Sequence, residues 1–403
     1  MNNHNEVNWK QNLRVAWLGN FFTGGSFSLV MPFMALYVEE LGVPKNKVEW
    51  YAGLAVSLSA LASALIAPLW GRLADRYGRK PMMVRASLVM TFTMGGLAFV
   101  PNVFWLLALR LLNGLFSGYI PNSTALIASQ APKNRSGYAL GTLATGMIGG
   151  SLIGPLLGGM LAEGLGIRQV FLLVGFILLI CNFLTVFLIK EDFKPVAKAN
   201  AMSTRELFSS IKDKQILIGL FVTSMIIQIS AQSIAPILTL YIRNLGQTEN
   251  LMFVSGLIVS ALGFSSMLSS STLGKIGDKI GNHRLLLIAL FYSFSMYVLC
   301  ALARNSLELG IVRFMYGFGT GALMPSVNSL LTKITPREGI SRIFSYNQMF
   351  MNIGQVVGPF VGSAIATGMG YRSVFYVTSL IVFVNFVWSL INFRKYLKVK
   401  EIA

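Results

Sequence analysis

Long apolar stretches, each close to 20 residues, run through this chain of 403 residues and limit what it can fold into. A helix needs about 20 apolar residues to cross the hydrocarbon core of a bilayer. Charged residues make up only 12% of the chain, roughly half their share in soluble domains. A transmembrane β-barrel would instead alternate polar and apolar residues over strands of about 10. The sequence therefore predicts an all-α integral membrane protein and excludes a soluble enzyme.

Twelve such segments follow one another in two groups of six. The polar stretch 190–214, which holds six Lys or Arg residues and Pro195, separates the groups and is interpreted as a cytoplasmic linker. The expected domains are an N-terminal six-helix half, 1–189, and a C-terminal six-helix half, 215–403. The predicted segments are 13–38, 50–70, 82–100, 104–128, 138–161, 170–189, 215–242, 251–273, 285–303, 306–331, 343–366 and 374–393.

Lysine and arginine are unevenly divided between the two sides of the predicted membrane. The termini, the linker and the loops after even-numbered segments hold 25 of the 33, whereas the other six loops hold 6. Because basic residues accumulate on the cytoplasmic side, both termini are expected to be cytoplasmic in a multi-pass protein of the plasma membrane. The formal charge of +18 is accordingly interpreted as a topology signal, and no nucleic acid is expected as a partner.

The two halves repeat one another at an offset of 203 or 204 residues. The segment MPFMALYVEELG, Met31–Gly42, corresponds to APILTLYIRNLG, Ala235–Gly246. A tandem duplication of a six-helix unit explains this spacing, and parallel repeats around a midplane site are typical of alternating-access carriers. The same offset relates Gly71-x3-Asp75-x2-Gly78 to Gly274-x3-Asp278-x2-Gly281, Arg110-x3-Gly114-x3-Gly118 to Arg313-x3-Gly317-x3-Gly321, and Gly154-Pro155-x2-Gly158 to Gly358-Pro359-x2-Gly362.

The loop after the second segment reads GRLADRYGRK. Its glycines allow a sharp turn between closely packed helices. An acidic residue among several cations can form an ionic latch at the cytoplasmic surface, although a solvated topology signal is the alternative. Recurrence of the loop in the second half favours the latch. Its predicted members are Gly71, Asp75, Arg76, Gly78, Arg79 and Lys80.

The fifth segment carries glycines at every fourth position along one helical face. Small residues at this spacing allow close helix packing in lipid. The alternative is a pliable hinge between the halves at Pro155, since proline frees backbone groups that neighbours must satisfy. The predicted hinge residues are Gly141, Gly150, Gly154, Pro155, Gly158 and Gly159.

These motifs resemble those of the major facilitator superfamily. Gly71–Lys80 is similar to its signature loop, and Arg110-Leu-Leu-Asn-Gly114 resembles its helix 4 motif. Gly141-x8-Gly150-x3-Gly154-Pro155-x2-Gly158-Gly159 matches the helix 5 pattern of drug/proton antiporters. The resemblance covers the whole chain. It implies the major facilitator fold and a twelve-helix exporter driven by inward proton flow.

Proton coupling has two sets of candidate residues. Arg110 lies within the fourth segment, where a buried charge is costly and suggests function. Binding of an anionic substrate and a purely structural role are the alternatives to proton coupling. No acidic residue lies in the middle of a segment, which departs from the common pattern of drug/proton antiporters. Glu39 and Glu40 close the first segment at its outer end. A carboxyl group partly removed from water binds a proton more readily, so one of the two is the expected proton carrier unless both are solvated.

Polar residues inside the segments are the candidates for substrate binding, with helix packing as the alternative. They predict a large, mostly apolar and weakly polar pocket for small molecules. Because no nucleotide-binding GxxxxGK[ST] loop is present, export driven directly by ATP is excluded. We expect a monomeric secondary exporter of amphipathic drugs without cofactor or metal; an exporter of one lipid, sugar or metabolite is the alternative. The candidates are Asn20, Asn113, Gln228, Gln232, Asn347 and Phe350.

Overall fold

The structure, a computed structural model, describes residues 8–132, 135–192, 211, 213–335 and 340–394. Within these residues all regular structure is helical. The α-helices are α1 (Trp9–Val30), α2 (Met34–Glu40), α3 (Val48–Tyr77), α4 (Arg79–Gly96), α5 (Val103–Leu115), α6 (Tyr119–Gln130), α7 (Ser136–Leu165), α8 (Ile167–Leu188), α9 (Lys214–Ile234), α10 (Leu238–Asn244), α11 (Leu251–Ile280), α12 (Asn282–Leu302), α13 (Ser306–Ile334), α14 (Ile340–Met369) and α15 (Tyr371–Phe393).

Helices occupy the positions of all twelve predicted segments. In the part of the chain that the structure describes, eleven helical stretches are long and apolar enough to cross a membrane. The remaining helix, α13, has 29 residues and is long enough, but its Gly, Ser, Thr and Asn residues lower its hydropathy. The all-α membrane architecture predicted from the sequence is confirmed.

Three predicted segments are interrupted, which the hydropathy pattern did not indicate. A short 3-10 turn containing Pro32 separates α1 from α2, and a turn containing Pro236 separates α9 from α10. Proline cannot donate the backbone hydrogen bond that a continuous helix requires, and these two breaks lie at matching positions of the repeat. The third break, at 116–118, divides the fourth segment into α5 and α6.

The chain divides into two compact units. Unit 1 comprises Met1–Val43 and Leu58–Lys198, and unit 2 comprises Pro44–Ser57 and Ala199–Ala403. The core of unit 1 includes Met83, Ala86, Tyr119, Leu126 and Ile127, and that of unit 2 includes Leu217, Tyr241, Leu286, Leu290 and Phe375.

Large apolar side chains are also exposed on each unit. Phe92 and Phe176 of unit 1 are 68% and 64% exposed, and Leu380 of unit 2 is 59% exposed. Soluble proteins rarely expose apolar patches of this extent. A helical protein surrounded by lipid has no such restriction, because the lipid tails that contact these side chains are equally apolar.

Candidate functional site

The glycine face of α7 lies directly against α1, inside unit 1. A Cβ atom added to Gly154 would lie 2.8 Å from the Gly25 carbonyl oxygen, and one added to Gly158 would lie 2.5 Å from the Leu29 carbonyl oxygen. Both distances are shorter than van der Waals contact, so only glycine fits at this seam. The close-packing interpretation of these residues describes the geometry, and the hinge function stays a prediction.

The other predicted hinge residues differ in their surroundings. Pro155 is buried, and α7 continues through it, while Gly159 is also buried. Gly150 packs on the backbone of Phe21 and Gly25 in α1. Gly141 is exposed, and a Cβ atom there would meet nothing within 4 Å. The glycines from Gly150 onward are therefore packed, whereas Gly141 is in open space.

Unit 2 repeats this arrangement between α9 and α14. A Cβ atom on Gly358 would lie 2.7 Å from the Gln232 Cβ, and one on Gly354 would lie 2.7 Å from the Gln228 Cβ. Both predicted glutamines thus border the glycine seam of their own unit. The Gln232 Oε1 atom is buried and has no hydrogen-bond donor among the described residues.

Asn347 and Phe350 lie on α14 close to the same seam. Asn347 is 3% exposed, and its Oδ1 atom has no donor among the residues described. The Phe350 ring stacks on Phe221 of α9, with centroids 5.3 Å apart. A buried acceptor without a donor costs free energy, so the Asn347 amide oxygen is suited to accept a hydrogen bond from a ligand.

The two asparagines of unit 1 are hydrogen-bonded to neighbouring helices. Asn20 Oδ1 accepts a 2.7 Å bond from the Ser123 hydroxyl, and Asn113 Nδ2 donates a 2.8 Å bond to Thr93 Oγ1. Each asparagine is 1% exposed. These bonds hold α1 to α6 and α5 to α4, while Asn113 Oδ1 remains without a donor in the described structure.

Arg110 is buried on α5 and only 4% exposed. Its carbonyl oxygen accepts a 2.5 Å hydrogen bond from the Ser59 hydroxyl of α3. One turn later, a Cβ atom on Gly114 would lie 2.9 Å from the Ala62 Cβ. α5 therefore packs closely on α3 at this level, and the role of Arg110 in proton coupling stays a prediction.

The acidic residues at the predicted outer surface differ in burial. Glu40 Oε1 lies 3.2 Å from Arg168 Nε, in an ion pair whose side chains are 46% and 40% exposed, and Glu39 is half-buried. Glu49, placed by the sequence at the start of the second segment, is only 8% exposed and accepts a 2.6 Å hydrogen bond from the Tyr371 hydroxyl within unit 2. Among the acidic side chains that the structure describes, Glu49 alone is buried.

The loop between α3 and α4 contains the predicted latch. Gly78 has φ of 99°, a conformation that favours glycine, and α4 begins at the next residue. The backbone N–H groups of Arg79 and Lys80 donate bonds of 2.9 and 2.7 Å to the carboxylate of Glu191, which follows α8. Negative charge at a helix N-terminus is stabilising.

The sequence analysis did not select Glu191 as a latch residue, although this acidic residue follows closely after the sixth predicted segment. Gly71 and Arg76 are exposed, and the side chain of Asp75 lies outside the described part of the structure.

The break between α5 and α6 is also stabilised by side chains that the sequence did not single out. Trp70 Nε1 donates a 2.7 Å bond to the Leu115 carbonyl, and Arg85 Nη2 donates a 2.8 Å bond to the Ser117 carbonyl. The Arg85 guanidinium lies over the Trp70 ring, 3.4 Å from its centroid. Carbonyl groups freed by a broken helix need such donors. Gly118 adopts a φ of 122°, a conformation that favours glycine.

Comparison with known proteins identifies the family. The Major Facilitator Superfamily model matches residues 16–306 and 220–401. The chain is 62% identical over 397 residues to the multi-drug resistance efflux pump PmrA of Streptococcus pneumoniae, covering 98% of this chain and 100% of that protein. It is 46% identical over 395 residues to the multidrug resistance protein MdtG of Escherichia coli, covering 98% and 97%.

Solved structures show the same fold. A bacterial homolog to the human lysosomal transporter Spinster superposes with a TM-score of 0.80 at 14% identity, over 97% of this chain and 98% of that chain. The nucleoside transporter NupG superposes with a TM-score of 0.79 at 15% identity, over 96% and 100%. With family model, relatives and fold in agreement, this multi-pass membrane transporter belongs to the major facilitator superfamily.

Proposed function

We propose that the protein exports structurally diverse amphipathic drugs across the plasma membrane. The observation that carries this proposal is the sequence identity to the multi-drug resistance efflux pump PmrA, which is 62% along nearly the whole chain. Both termini face the cytoplasm in this proposal, which the distribution of lysine and arginine supports. The transporter works as a monomer of two halves, 1–189 and 215–403, joined by the linker 190–214.

Alternating access of two repeated halves is the proposed transport cycle. The internal repeat supports it, because related halves can adopt two equivalent arrangements around one site. Each unit also has a glycine seam between corresponding helices, α1 with α7 and α9 with α14. A rigid seam lets six helices move together, and Pro155 in α7 is the proposed point of bending.

The proposed substrate pocket combines apolar walls with a few buried amides. Asn347 and Gln232 have amide oxygens without donors among the described residues, and the Phe350–Phe221 stack supplies aromatic surface. The other proposed substrate-binding residues are Asn20 and Asn113 of unit 1 and Gln228 of unit 2. Few directional groups in an apolar pocket suit substrates of varied shape. Export of one lipid, sugar or metabolite would use the same residues.

Proton antiport is the proposed source of energy. Arg110 is the buried positive charge, and a carboxylate at the outer surface carries the proton. Glu39 is supported over Glu40, because Glu39 is half-buried whereas Glu40 is exposed. Glu49 joins the candidates because it is buried. The carboxyl group would bind a proton on the outer side and lose it in the other conformation, where the positive charge of Arg110 favours the carboxylate. This exchange would link proton entry to the conformational change.

Everted membrane vesicles test the proposal. A pH gradient imposed without ATP is expected to drive accumulation of a fluorescent cationic dye, and a protonophore should abolish it. Vesicles without the protein provide the background. Accumulation that requires ATP and survives collapse of the gradient would contradict proton antiport. Competition by several unrelated drugs, but not by sugars, would separate the multidrug function from transport of a single metabolite.

A further inference from the structure

A basic and aromatic groove lies between the start of α1 and the start of α7, in unit 1. Its volume is about 740 Å³. Lys10 and Arg14 of α1 and Arg135, which precedes α7, supply three positive charges. No acidic side chain lines it in the part of the chain that the structure describes. None of the transport residues discussed above lies in this groove.

The α1 side of the groove is formed by basic and aromatic residues at the start of the helix. Lys10 and Arg14 are four residues apart and therefore lie on one face, roughly 6 Å apart along the axis. Trp17 follows Lys10 by seven residues and therefore lies on nearly the same face, about 10 Å further along the axis, while Trp9 lies at the helix start. Tyr138 forms part of the opposite wall and is 69% exposed. Positive charge is thus concentrated at the end of the helix, and apolar surface lies deeper.

We propose that this groove binds the phosphate head group of an anionic phospholipid of the cytoplasmic leaflet. Basic pockets between transmembrane helices on the cytoplasmic side bind such head groups, and arginine matches phosphate oxygens with two parallel donors. Tryptophan and tyrosine prefer the level of the head groups. The phosphate contacts Lys10, Arg14 and Arg135, while an acyl chain lies along Trp17. The inference rests on the proposed cytoplasmic position of the N-terminus.

The Trp17 indole N–H beside the groove is already engaged, and the three cations are the charged groups that line it. Trp17 Nε1 donates a 3.0 Å bond to Thr145 Oγ1, and the Trp17 ring stacks on Phe21 with centroids 5.6 Å apart. These contacts fix one wall of the groove. A lipid seated here would join α1 to α7 at the end where the seam of small residues begins.

Lipid titration of the purified full-length protein, followed by native mass spectrometry, tests the proposal. Phosphatidylglycerol is expected to bind more tightly than phosphatidylcholine with the same chains. The variant Lys10→Gln/Arg14→Gln/Arg135→Gln should weaken phosphatidylglycerol binding roughly 100-fold, given the usual contribution of each basic residue near an anionic lipid surface. The matched control, Lys45→Gln/Lys47→Gln/Arg304→Gln, removes three exposed charges elsewhere and should bind like the parent.

Several outcomes would overturn the proposal. Equal binding of both lipids by the parent, unchanged binding in the groove variant, or equal weakening in groove and control variants would each do so. Inorganic phosphate that displaces the lipid at millimolar concentration, with glycerophosphate binding as tightly as the lipid, would identify a free-anion site. Displacement by an anionic transport substrate would identify a substrate vestibule.

A variant Lys10→Arg/Arg135→Lys keeps the charges and should retain binding, which separates recognition from misfolding. Because no step of this experiment involves transport, its failure leaves proton-driven export untouched.

Discussion

At the scale of single residues, Arg110 is the most deeply buried of the residues proposed for proton coupling. It is 4% exposed on a helix that packs closely on α3. A charge held there without function would be a costly feature. We expect Arg110→Ala to abolish proton-driven dye transport in vesicles, with loss of at least about 10-fold, or 1.4 kcal/mol, in rate.

Arg110→Lys separates charge from geometry in the same assay. Partial activity in this variant would show that a positive charge suffices at the position. Parental transport by Arg110→Ala, at equal abundance in the membrane, would assign the arginine to structure.

The three outer carboxylates are predicted to differ in their effect on pH dependence. Glu40 is exposed and its ion pair with Arg168 is of the kind that contributes little. Glu40→Gln should therefore leave the pH profile of transport unchanged and serve as the control. Either Glu39→Gln or Glu49→Gln is expected to shift that profile, because each is less exposed to water. If all three profiles coincide with that of the parent, proton carriage lies elsewhere, with Asp75 next to be tested.

At the scale of helices, the seam between α1 and α7 predicts which glycines tolerate a side chain. Gly154→Leu or Gly158→Leu would force the two helices apart, since a single Cβ atom already collides with α1. We expect either variant to block the transport cycle. Gly141→Leu is the matched control, because its Cβ position is open. Normal transport and abundance in the two seam variants would contradict the packing described here.

The break between α5 and α6 makes a second prediction at this scale. Arg85→Ala removes both the donor to the Ser117 carbonyl and the cation over Trp70. A hydrogen bond to a charged group contributes about 1.5–3 kcal/mol, so the thermal melting temperature in detergent should fall. Gly118→Ala should also destabilise, because alanine rarely adopts a φ of 122°. Leu88→Ala on the same helix, at a side chain that is 39% exposed, is the control.

Helix positions and the duplication could be predicted because both depend on local patterns: runs of apolar residues and motifs at a constant offset. The break at 116–118 could not, since its stability comes from Trp70 and Arg85, which are distant in sequence. Burial of Glu49 likewise depends on Tyr371, more than 300 residues away. Hydropathy indicates whether a segment lies in lipid or in water. Contacts between side chains that are distant in sequence arise only when the helices pack.

At the scale of the whole molecule, the loop between α3 and α4 is expected to control the balance between conformations. Loss of such a latch shifts populations and leaves the substrate site intact. We therefore expect Asp75→Asn and Arg79→Ala to lower the transport rate about 10-fold, equivalent to 1.4 kcal/mol, while substrate binding to the purified protein stays unchanged.

Glu191→Gln tests whether Glu191, which the structure places against the start of α4, belongs to this latch. Its carboxylate accepts bonds from two N–H groups at the start of α4, where negative charge is favourable. Glutamine keeps one acceptor oxygen but loses the charge, so we expect a smaller reduction in transport rate than for Asp75→Asn. Lys47→Ala, an exposed cation in a different loop, is the control.

Dye transport and equilibrium dye binding should be measured on the same preparations. A loss of binding in parallel with transport would place the loop in the substrate site, and parental rates in all three variants would reduce it to a topology signal. Retained binding with slowed transport is the result that a conformational latch requires, because only the interconversion of states is then affected.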